Sequence, residues 1–266
     1  MKKLSQKIFA GKELFVFDLD GTLAPSKSIA DFEMIKLLLR LLEKKRVAVI
    51  GGGKYELFKE QLIQRLPRKD ERLERFFLFP TSSTAFYRFR RGKWICVYSH
   101  GLSARERKKI KTAFIAAFKE IAYEPPARTY GPVIEDRGTQ ITFSALGQEI
   151  IRELGVRRGL ALKEEWNKRH DIRPELMKAL KRLLPTFEVR QGGLSSVDVT
   201  RKGIDKAYGI RRIEKTLGVS KKKMLFVGDA IFPGGNDYAV VRAGVDYVRV
   251  DNPEDTKQVI RMALKD

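Results

Sequence analysis

Leu14-Phe15-Val16-Phe17-Asp18-Leu19-Asp20-Gly21-Thr22 decides the reading of this chain. Its first four residues are wholly apolar, as in a parallel strand buried on both faces, and the run stops at a carboxylate. In open α/β sheets such strand ends border the crevice where ligands bind. Asp18 and Asp20, two residues apart at that place, can divide the work of phosphoryl transfer. One attacks phosphorus in line, and the other protonates the leaving oxygen. A plain turn with a glycine could carry the same letters, but the apolar strand before them favours the catalytic reading.

Working outward, Asp31 to Lys45 carries Met34, Leu37, Leu38, Leu41 and Leu42 at helical spacing, and Val47-Ala48-Val49-Ile50 is a second buried strand ending in Gly51-Gly52-Gly53. This is a βαβ unit. A helix over about 55–66 leads to the strand Phe76-Phe77-Leu78-Phe79. From Ala85 the rhythm becomes that of an antiparallel sheet, with hairpin signals at Arg91-Gly92 and Arg137-Gly138. Ser103-Ala104-Arg105-Glu106 forms a capping box before Ile110, Phe114, Ile115 and Phe118. Strands are predicted at 133–135 and 140–144, a helix near 174–184, and paired strands at 187–190 and 196–200. Helix and buried strand alternate again after Arg201: a helix over 205–217, Met224-Leu225-Phe226-Val227, a short helix after Asp237, Tyr247-Val248-Arg249-Val250, and a last helix opened by Asn252-Pro253. The pattern predicts a discontinuous α/β core, 1–84 and 201–266, split by an α+β insert over 85–200.

The second acidic loop, Gly228-Asp229 followed by Gly234-Gly235-Asn236-Asp237, also closes an apolar run. A dianionic phosphate beside Asp18 is repelled unless cations neutralise it. An oxygen-rich loop suits Mg²⁺, and Lys206, near the start of the helix preceding this strand, is the candidate ammonium. Taken alone, Lys206 reads as an ordinary exposed helix residue; its order in the chain gives it weight.

Composition excludes more than it assigns. The chain of 266 residues is 43% hydrophobic and carries a formal charge of +21. Its basic residues are spread along the whole length with acidic residues between them, the pattern of solvated helix faces rather than a nucleic-acid tail. No run of about 18 apolar residues is present to span a bilayer. Met1-Lys2-Lys3-Leu4-Ser5 lacks the apolar stretch of a secretory signal, so a cytoplasmic protein without membrane contact is expected. Cys96, the single cysteine, reads as a strand residue, and His100 and His170 as surface residues without metal-ligand spacing.

Five segments in order resemble the haloacid dehalogenase (HAD) superfamily, subfamily IIB, and within it the eukaryotic-type phosphomannomutase branch. They are Phe17 to Leu23; Val133-Ile134-Glu135-Asp136-Arg137; Gly192-Gly193 with Ser196-Val197-Asp198-Val199; Asp205-Lys206; and Gly228-Asp229 with Pro233 to Asp237. The resemblance implies a HAD-like Rossmannoid core with a type 2 cap inserted between the second and third motifs. It implies Asp18 as nucleophile and Mg²⁺ ligand, and Asp20 as general acid/base that also offers a backbone carbonyl to the metal. Asp229 is then the third protein ligand, Asn236 and Asp237 brace the metal loop, and Lys206 neutralises the aspartyl-phosphate. In the cap, Arg137, Ser196 and Asp198 match positions that hold the sugar phosphate, although Ser196 and Asp198 equally fit the polar face of an alternating strand. Lys27 stands where the family has an arginine. A cap-mediated homodimer is also implied.

Two departures shape the expected activity. The second motif of the family presents a Ser or Thr hydroxyl to the phosphate. Here Gly52 and Gly53 leave only backbone N–H groups, with Lys54 beside them, so weakened turnover is expected. A mutase also needs an arginine cluster for the distal phosphate, and Gln148 replaces one of its members. These points favour a Mg²⁺-dependent phosphatase acting on a sugar phosphate or similar small phosphometabolite. The alternative is a phosphomannomutase or phosphoglucomutase. Asp20 argues against dehalogenation, which leaves no alkoxide to protonate. Retention of Asp18, Asp20, Lys206 and Asp229 argues against a third reading, a non-catalytic nucleic-acid binder on the same scaffold.

Overall fold

Leu14–Asp18 forms strand β1 and is buried along its whole length. Its alternate side chains enter two separate cores, one on each face of the sheet. Phe15 and Phe17 pack with Met34, Leu38 and Leu41 of the helix Phe32–Lys44 and with Val259 and Ile260 of the helix Pro253–Ala263. Leu14 and Val16 pack with Ile210 and Ile213 of the helix Lys206–Leu217 and with Val240 of the helix Tyr238–Ala243. A strand covered on both faces has no polar side, which is why its sequence reads as an unbroken apolar run. The coordinates are a computed structural model describing residues 5–192 and 194–265; Met1 to Leu4, read above for a signal, and Gly193 of the quoted Gly192-Gly193 lie outside them.

The chain divides into two units, residues 1–99 with 205–266 and residues 100–204. In the first, β1 is followed by β2 (Arg46–Ile50), β3 (Phe76–Phe79), β4 (Ala85–Arg90) and β5 (Lys93–Ser99). In the second lie β6 (Ile134–Asp136), β7 (Ile141–Ser144), β8 (Phe187–Gln191) and β9 (Ser196–Arg201). The chain then returns to the first unit for β10 (Met224–Gly228) and β11 (Asp246–Arg249). Among the described residues the first unit holds one sheet of order β11-β10-β1-β2-β3-β4-β5. Its members from β11 to β3 pair in parallel. The carboxyl ends of β10, β1 and β2 therefore lie side by side, and the loops after them carry Asp229, Asp18 to Thr22 and Gly51 to Gly53.

The α/β core and the separate antiparallel sheet agree with the expected fold class, but the insert does not begin at 85. β4 and β5 add antiparallel strands to the core sheet, with Leu78 opposite Tyr87 and Phe86 stacked on Phe79 at 4.6 Å. A switch from parallel to antiparallel pairing changes the sequence rhythm without changing the layer, so the second unit starts at His100 and runs to Ile204 rather than to Thr200. Cys96 sits in β5 as predicted, exposed, and His100 and His170 are both exposed.

The second unit is built on the antiparallel order β6-β7-β9-β8. Ile141, Phe143, Val197 and Val199 pack beneath the helices Ala104–Glu120 and Arg173–Leu183. The capping box at Ser103 forms in full. The helices Ile150–Leu154 and Val156–His170 were not foreseen; they close a small core of their own around Ile150 and Ile151. No helix among the described residues is long and apolar enough to cross a membrane.

Candidate active site

Lys206 Nζ lies 2.6 Å from Asp18 Oδ1 and also bonds Asp237 Oδ1. All three side chains are almost wholly buried. Asp205 sets the lysine in place, since its carboxylate accepts from the Tyr208 N–H and opens the helix one residue before Lys206. Burial alone would strip the proton from Lys206, but Asp18 and Asp237 reverse this and hold its pKa above the ordinary lysine value. Burial also drives Asp18 well above the usual carboxylate range. Lys206 opposes that shift, and Asp237 and Asp229 reinforce it. Asp229 is raised in the same way, by burial first and by Asp237 second.

One ammonium thus faces three carboxylates, those of Asp18, Asp229 and Asp237, whose oxygens lie within 4.8 Å of one another. Negative charge in excess, in a buried pocket of oxygen donors, fits a hard divalent cation. Two glycines make room for the set. A Cβ on Gly21 would stand 2.6 Å from Asp229 Oδ2, and one on Gly228 2.4 Å from Asp237 Oδ2. Asp237 also accepts from the Ala230 N–H at 3.1 Å and so holds the loop that bears Asp229. Asn236 is exposed and makes no side-chain hydrogen bond among the described residues. Thr22, not singled out in the sequence beyond its place in the motif, donates to Asp229 Oδ1 at 3.4 Å.

The side chain of Asp20 turns away from this cluster. Its Oδ1 accepts from the Lys27 backbone N–H at 2.5 Å and from Gln61 Nε2 at 2.9 Å. Lys27 has φ of 52°, a left-handed conformation that presents its backbone N–H to Asp20. Gln61, at the end of the helix Tyr55–Gln61, had no signal in the sequence, because its meeting with Asp20 is set by tertiary approach.

The carbonyls of Gly51 and Gly53 accept from the backbone N–H groups of Ser82 and Thr81, both at 2.9 Å. Thr81, Ser82 and Ser83 all have positive φ, a left-handed turn without glycine that follows β3 and braces the glycine loop. Such backbone is costly for L-residues and persists where surroundings impose it. Where a side chain at position 53 would begin, a Cβ meets Leu57 Cδ2 at 2.4 Å.

In the second unit the register places a polar row across the sheet: Glu135 opposite Thr142, Thr142 opposite Asp198, and Asp198 opposite Arg190. Ser196 lies two residues from Asp198 on the same face of β9, while Val197 and Val199 between and beyond them are buried. Asp198 accepts from Thr142 Oγ1 at 2.7 Å. Arg137 Nε lies 2.8 Å from Glu135 Oε2, and its Nη2 donates to Gln148 Oε1 at 3.2 Å. Thus the position taken as a lost arginine is occupied by an acceptor that orients the one retained. Arg190 stands on the same row, opposite Asp198.

A buried aspartate held by lysine at the end of the central strand, with a second carboxylate two residues on, is equipped to receive a phosphoryl group and to move a proton. On this fold that equipment defines the HAD phosphotransferases. The eukaryotic phosphomannomutase family matches residues 34–266, and the chain belongs to it. Phosphomannomutase of Encephalitozoon cuniculi is 30% identical over 269 residues, spanning 96% of this chain and 94% of its own. That of Saccharomyces cerevisiae is 30% identical over 263 residues, spanning 95% and 96%. Among solved structures, IMP-bound Plasmodium falciparum IMP-nucleotidase superposes with a TM-score of 0.69 at 17% identity, over 96% of this chain and 68% of its own. Aspergillus fumigatus trehalose-6-phosphate phosphatase does so with 0.57 at 18%, over 98% and 96%. At these identities the two structures speak for the fold alone. The chain is therefore a HAD-superfamily phosphotransferase, and its family favours the mutase alternative over the phosphatase that the arginine count suggested.

Proposed function

We propose that this enzyme interconverts hexose 1-phosphates and 6-phosphates, with mannose phosphates as the first candidates. The observation that carries this reading is the full-length match to phosphomannomutases, joined to a site in which nucleophile, acid/base and lysine are all retained. Asp18 attacks the phosphorus of a sugar bisphosphate, the P–O bond to the sugar breaks, and Asp20 protonates the departing oxygen. A substrate sugar monophosphate then presents its free hydroxyl, Asp20 takes that proton, and the hydroxyl oxygen attacks the aspartyl-phosphate as the Asp18–phosphorus bond breaks. The bisphosphate so formed turns end for end, returns its other phosphate to Asp18 with Asp20 again protonating the departing oxygen, and leaves as the isomeric monophosphate. Lys206 offsets the charge that builds on Asp18 and on the phosphoryl group.

Asp18, Asp229 and the Asp20 carbonyl are the groups suited to hold Mg²⁺, with Asp237 as loop support. When bound, the ion supplies charge neutralisation for the phosphoryl oxygens. Gly52 and Gly53 offer backbone N–H groups to the same oxygens, and Lys27 adds charge near Asp20. Residues 100–204 act as the cap in this reading, with Arg137, Ser196, Asp198 and the adjacent Arg190 holding the non-reacting phosphate and sugar hydroxyls.

The test supplies mannose 1-phosphate and glucose 1-phosphate, each with a catalytic amount of the corresponding bisphosphate and Mg²⁺. Formation of the 6-phosphate is followed beside release of inorganic phosphate. Isomerisation faster than release, abolished in Asp18→Asn, is expected. Release that outruns isomerisation with every sugar returns the enzyme to the phosphatase reading.

A further inference from the structure

We infer that Gln61 is a positioning residue for Asp20, holding one carboxylate oxygen so that the other alone exchanges the proton with substrate. The inference rests on the phosphoryl-transfer reading above and adds to it which oxygen of Asp20 works and what fixes it.

Both hydrogen bonds that Asp20 receives end on Oδ1, from Lys27 N–H at 2.5 Å and Gln61 Nε2 at 2.9 Å. With two donors already on Oδ1, a proton placed there would collide with them, so Oδ2 is the oxygen left for proton exchange. Neither donor is free to wander. Lys27 is locked in a left-handed conformation, and the Gln61 carbonyl accepts from Ala30 N–H at 2.9 Å, which ties the end of the helix Tyr55–Gln61 to the segment that follows Asp20.

The other end of the glutamine argues that this contact is what the side chain is for. Gln61 is 1% exposed, and its Oε1 is buried without a hydrogen-bond partner among the described residues. An ionised carboxylate only accepts, so the amide nitrogen must face Asp20, and the carbonyl oxygen is left unpaired. A leucine or methionine of similar volume would fill the space without that desolvation cost. Packing alone therefore does not account for glutamine here.

In chemical terms, a bond forms from Asp18 to phosphorus as the bond from phosphorus to the sugar oxygen breaks. The proton on Asp20 Oδ2 passes to that oxygen, and Asp20 is left as a carboxylate with both donors still on Oδ1. In the return step the same Oδ2 takes the proton of the attacking hydroxyl. Without Gln61 the carboxylate can rotate about χ2, and Oδ2 spends less time on the substrate side.

The test compares Gln61→Leu and Gln61→Met with the parent enzyme on two substrates. The first is mannose 1-phosphate with bisphosphate, whose leaving alkoxide needs a proton. The second is p-nitrophenyl phosphate in single turnover, whose leaving phenolate does not. Expected is a fall of about 10- to 100-fold in kcat on the sugar phosphate, within the range for an impaired general acid. KM should change by about twofold or less, and the p-nitrophenolate burst should slow by a much smaller factor. Equal losses on both substrates, or no loss on the sugar phosphate, overturn the inference. A thermal unfolding scan of each variant separates misfolding from mispositioning, and methionine serves if leucine does not fold. If Asp18→Asn keeps both activities, the phosphoryl-transfer reading itself fails and the inference goes with it. If Asp18→Asn is inactive while the Gln61 variants match the parent, only the role of Gln61 is lost.

Discussion

Lys206 and Asp18, 188 residues apart in the chain, meet at 2.6 Å in a pocket almost closed to solvent. The lysine offsets a buried carboxylate in the folded protein, and in the proposed reaction it would also offset phosphoryl charge in turnover. Lys206→Met should therefore lose both. Removing one partner from a buried charge set costs about 3–5 kcal/mol of stability at neutral pH. Losing a preorganised cation beside the reacting phosphoryl group should lower kcat about 10²- to 10³-fold. Denaturant titration and steady-state isomerisation check the two halves. A variant of normal stability and activity would remove Lys206 from the site.

Asp18 and Asp229 are both raised by burial and by the charge of Asp237, so the folded protein carries repulsion that a divalent cation can relieve. Mg²⁺ should raise the unfolding midpoint. A ligand held only by the folded state adds about 2.7 kcal/mol at about 100 times its Kd. Asp229→Asn should keep the fold and lose most of the Mg²⁺ response. A midpoint that ignores Mg²⁺ and Mn²⁺ in the parent protein would count against the cluster as a metal site.

How far the sequence carried depended on whether a feature is local. β1, the helix Phe32–Lys44 and β2 were readable because burial on both faces leaves apolar runs, and Met34, Leu38 and Leu41 recur at helical spacing. The capping box at Ser103 and the helix start at Asn252 were readable because capping needs only neighbours in sequence, while the cap at Asp31 was not read. The helix Val156–His170 escaped, since Arg157, Arg158, Glu164, Glu165, Lys168 and Arg169 leave it too few apolar positions for a period to show. β4 and β5 were placed in the insert because antiparallel rhythm alone does not say which sheet a hairpin joins. Asp18, Lys206 and Asp229 could be proposed from motif order. Gln61 and the left-handed turn at Thr81 to Ser83 could not, since both are defined by approach to loops far away in sequence.

Glu106 offers a pH test within residues 100–204. Arg201 first, and the Ser103 backbone N–H second, hold its carboxyl down to about 2. Its Oε2 lies 2.8 Å from Arg201 Nη2, joining the start of the helix Ala104–Glu120 to the end of β9. A carboxyl depressed in the folded state contributes stability that is fully present above its unfolded value of about 4.5 and fades as pH falls toward about 2. The pair is partly solvated, so its worth is modest, about 1 kcal/mol or less. Glu106→Gln should flatten the acid limb of the stability curve between those two pH values and leave isomerisation at neutral pH intact. An unchanged acid limb would mean that the pair adds nothing.

At Gly209 the helix Lys206–Leu217 lies tight against the sheet and the turn after β3. A Cβ there would lie 2.3 Å from Ile50 Cδ1 and 2.7 Å from Ser83 Oγ. Gly209→Ala must push the helix outward or repack the turn that braces Gly51 and Gly53, and overpacking of this kind typically costs about 1–3 kcal/mol. Because Lys206 sits one turn earlier on the same helix, kcat should fall together with the unfolding midpoint. A gain in stability from the better helix former, with full activity, would contradict the close approach.

The glycine loop gives the sharpest comparison. A serine at position 53 would supply the hydroxyl that the loop lacks, but its Cβ lies 2.4 Å from Leu57 Cδ2, so the leucine occupies the space the new side chain needs. Leu57 is a flexible side chain on the helix Tyr55–Gln61, and truncating it opens that space without touching the loop backbone. Gly53→Ser alone should therefore help little, since the hydroxyl must displace Leu57 before it can reach a phosphoryl oxygen. In the Leu57→Ala background the same change should speed single-turnover formation of the aspartyl-phosphate several-fold over Leu57→Ala alone, about 1 kcal/mol for one added hydrogen bond. The coupling between the two positions, measured as a double-mutant cycle on that rate, is the quantity to read. A cycle that closes to zero would mean that the backbone N–H groups of Gly52 and Gly53 already satisfy the phosphoryl oxygens, and that a hydroxyl at this loop has nothing left to bond.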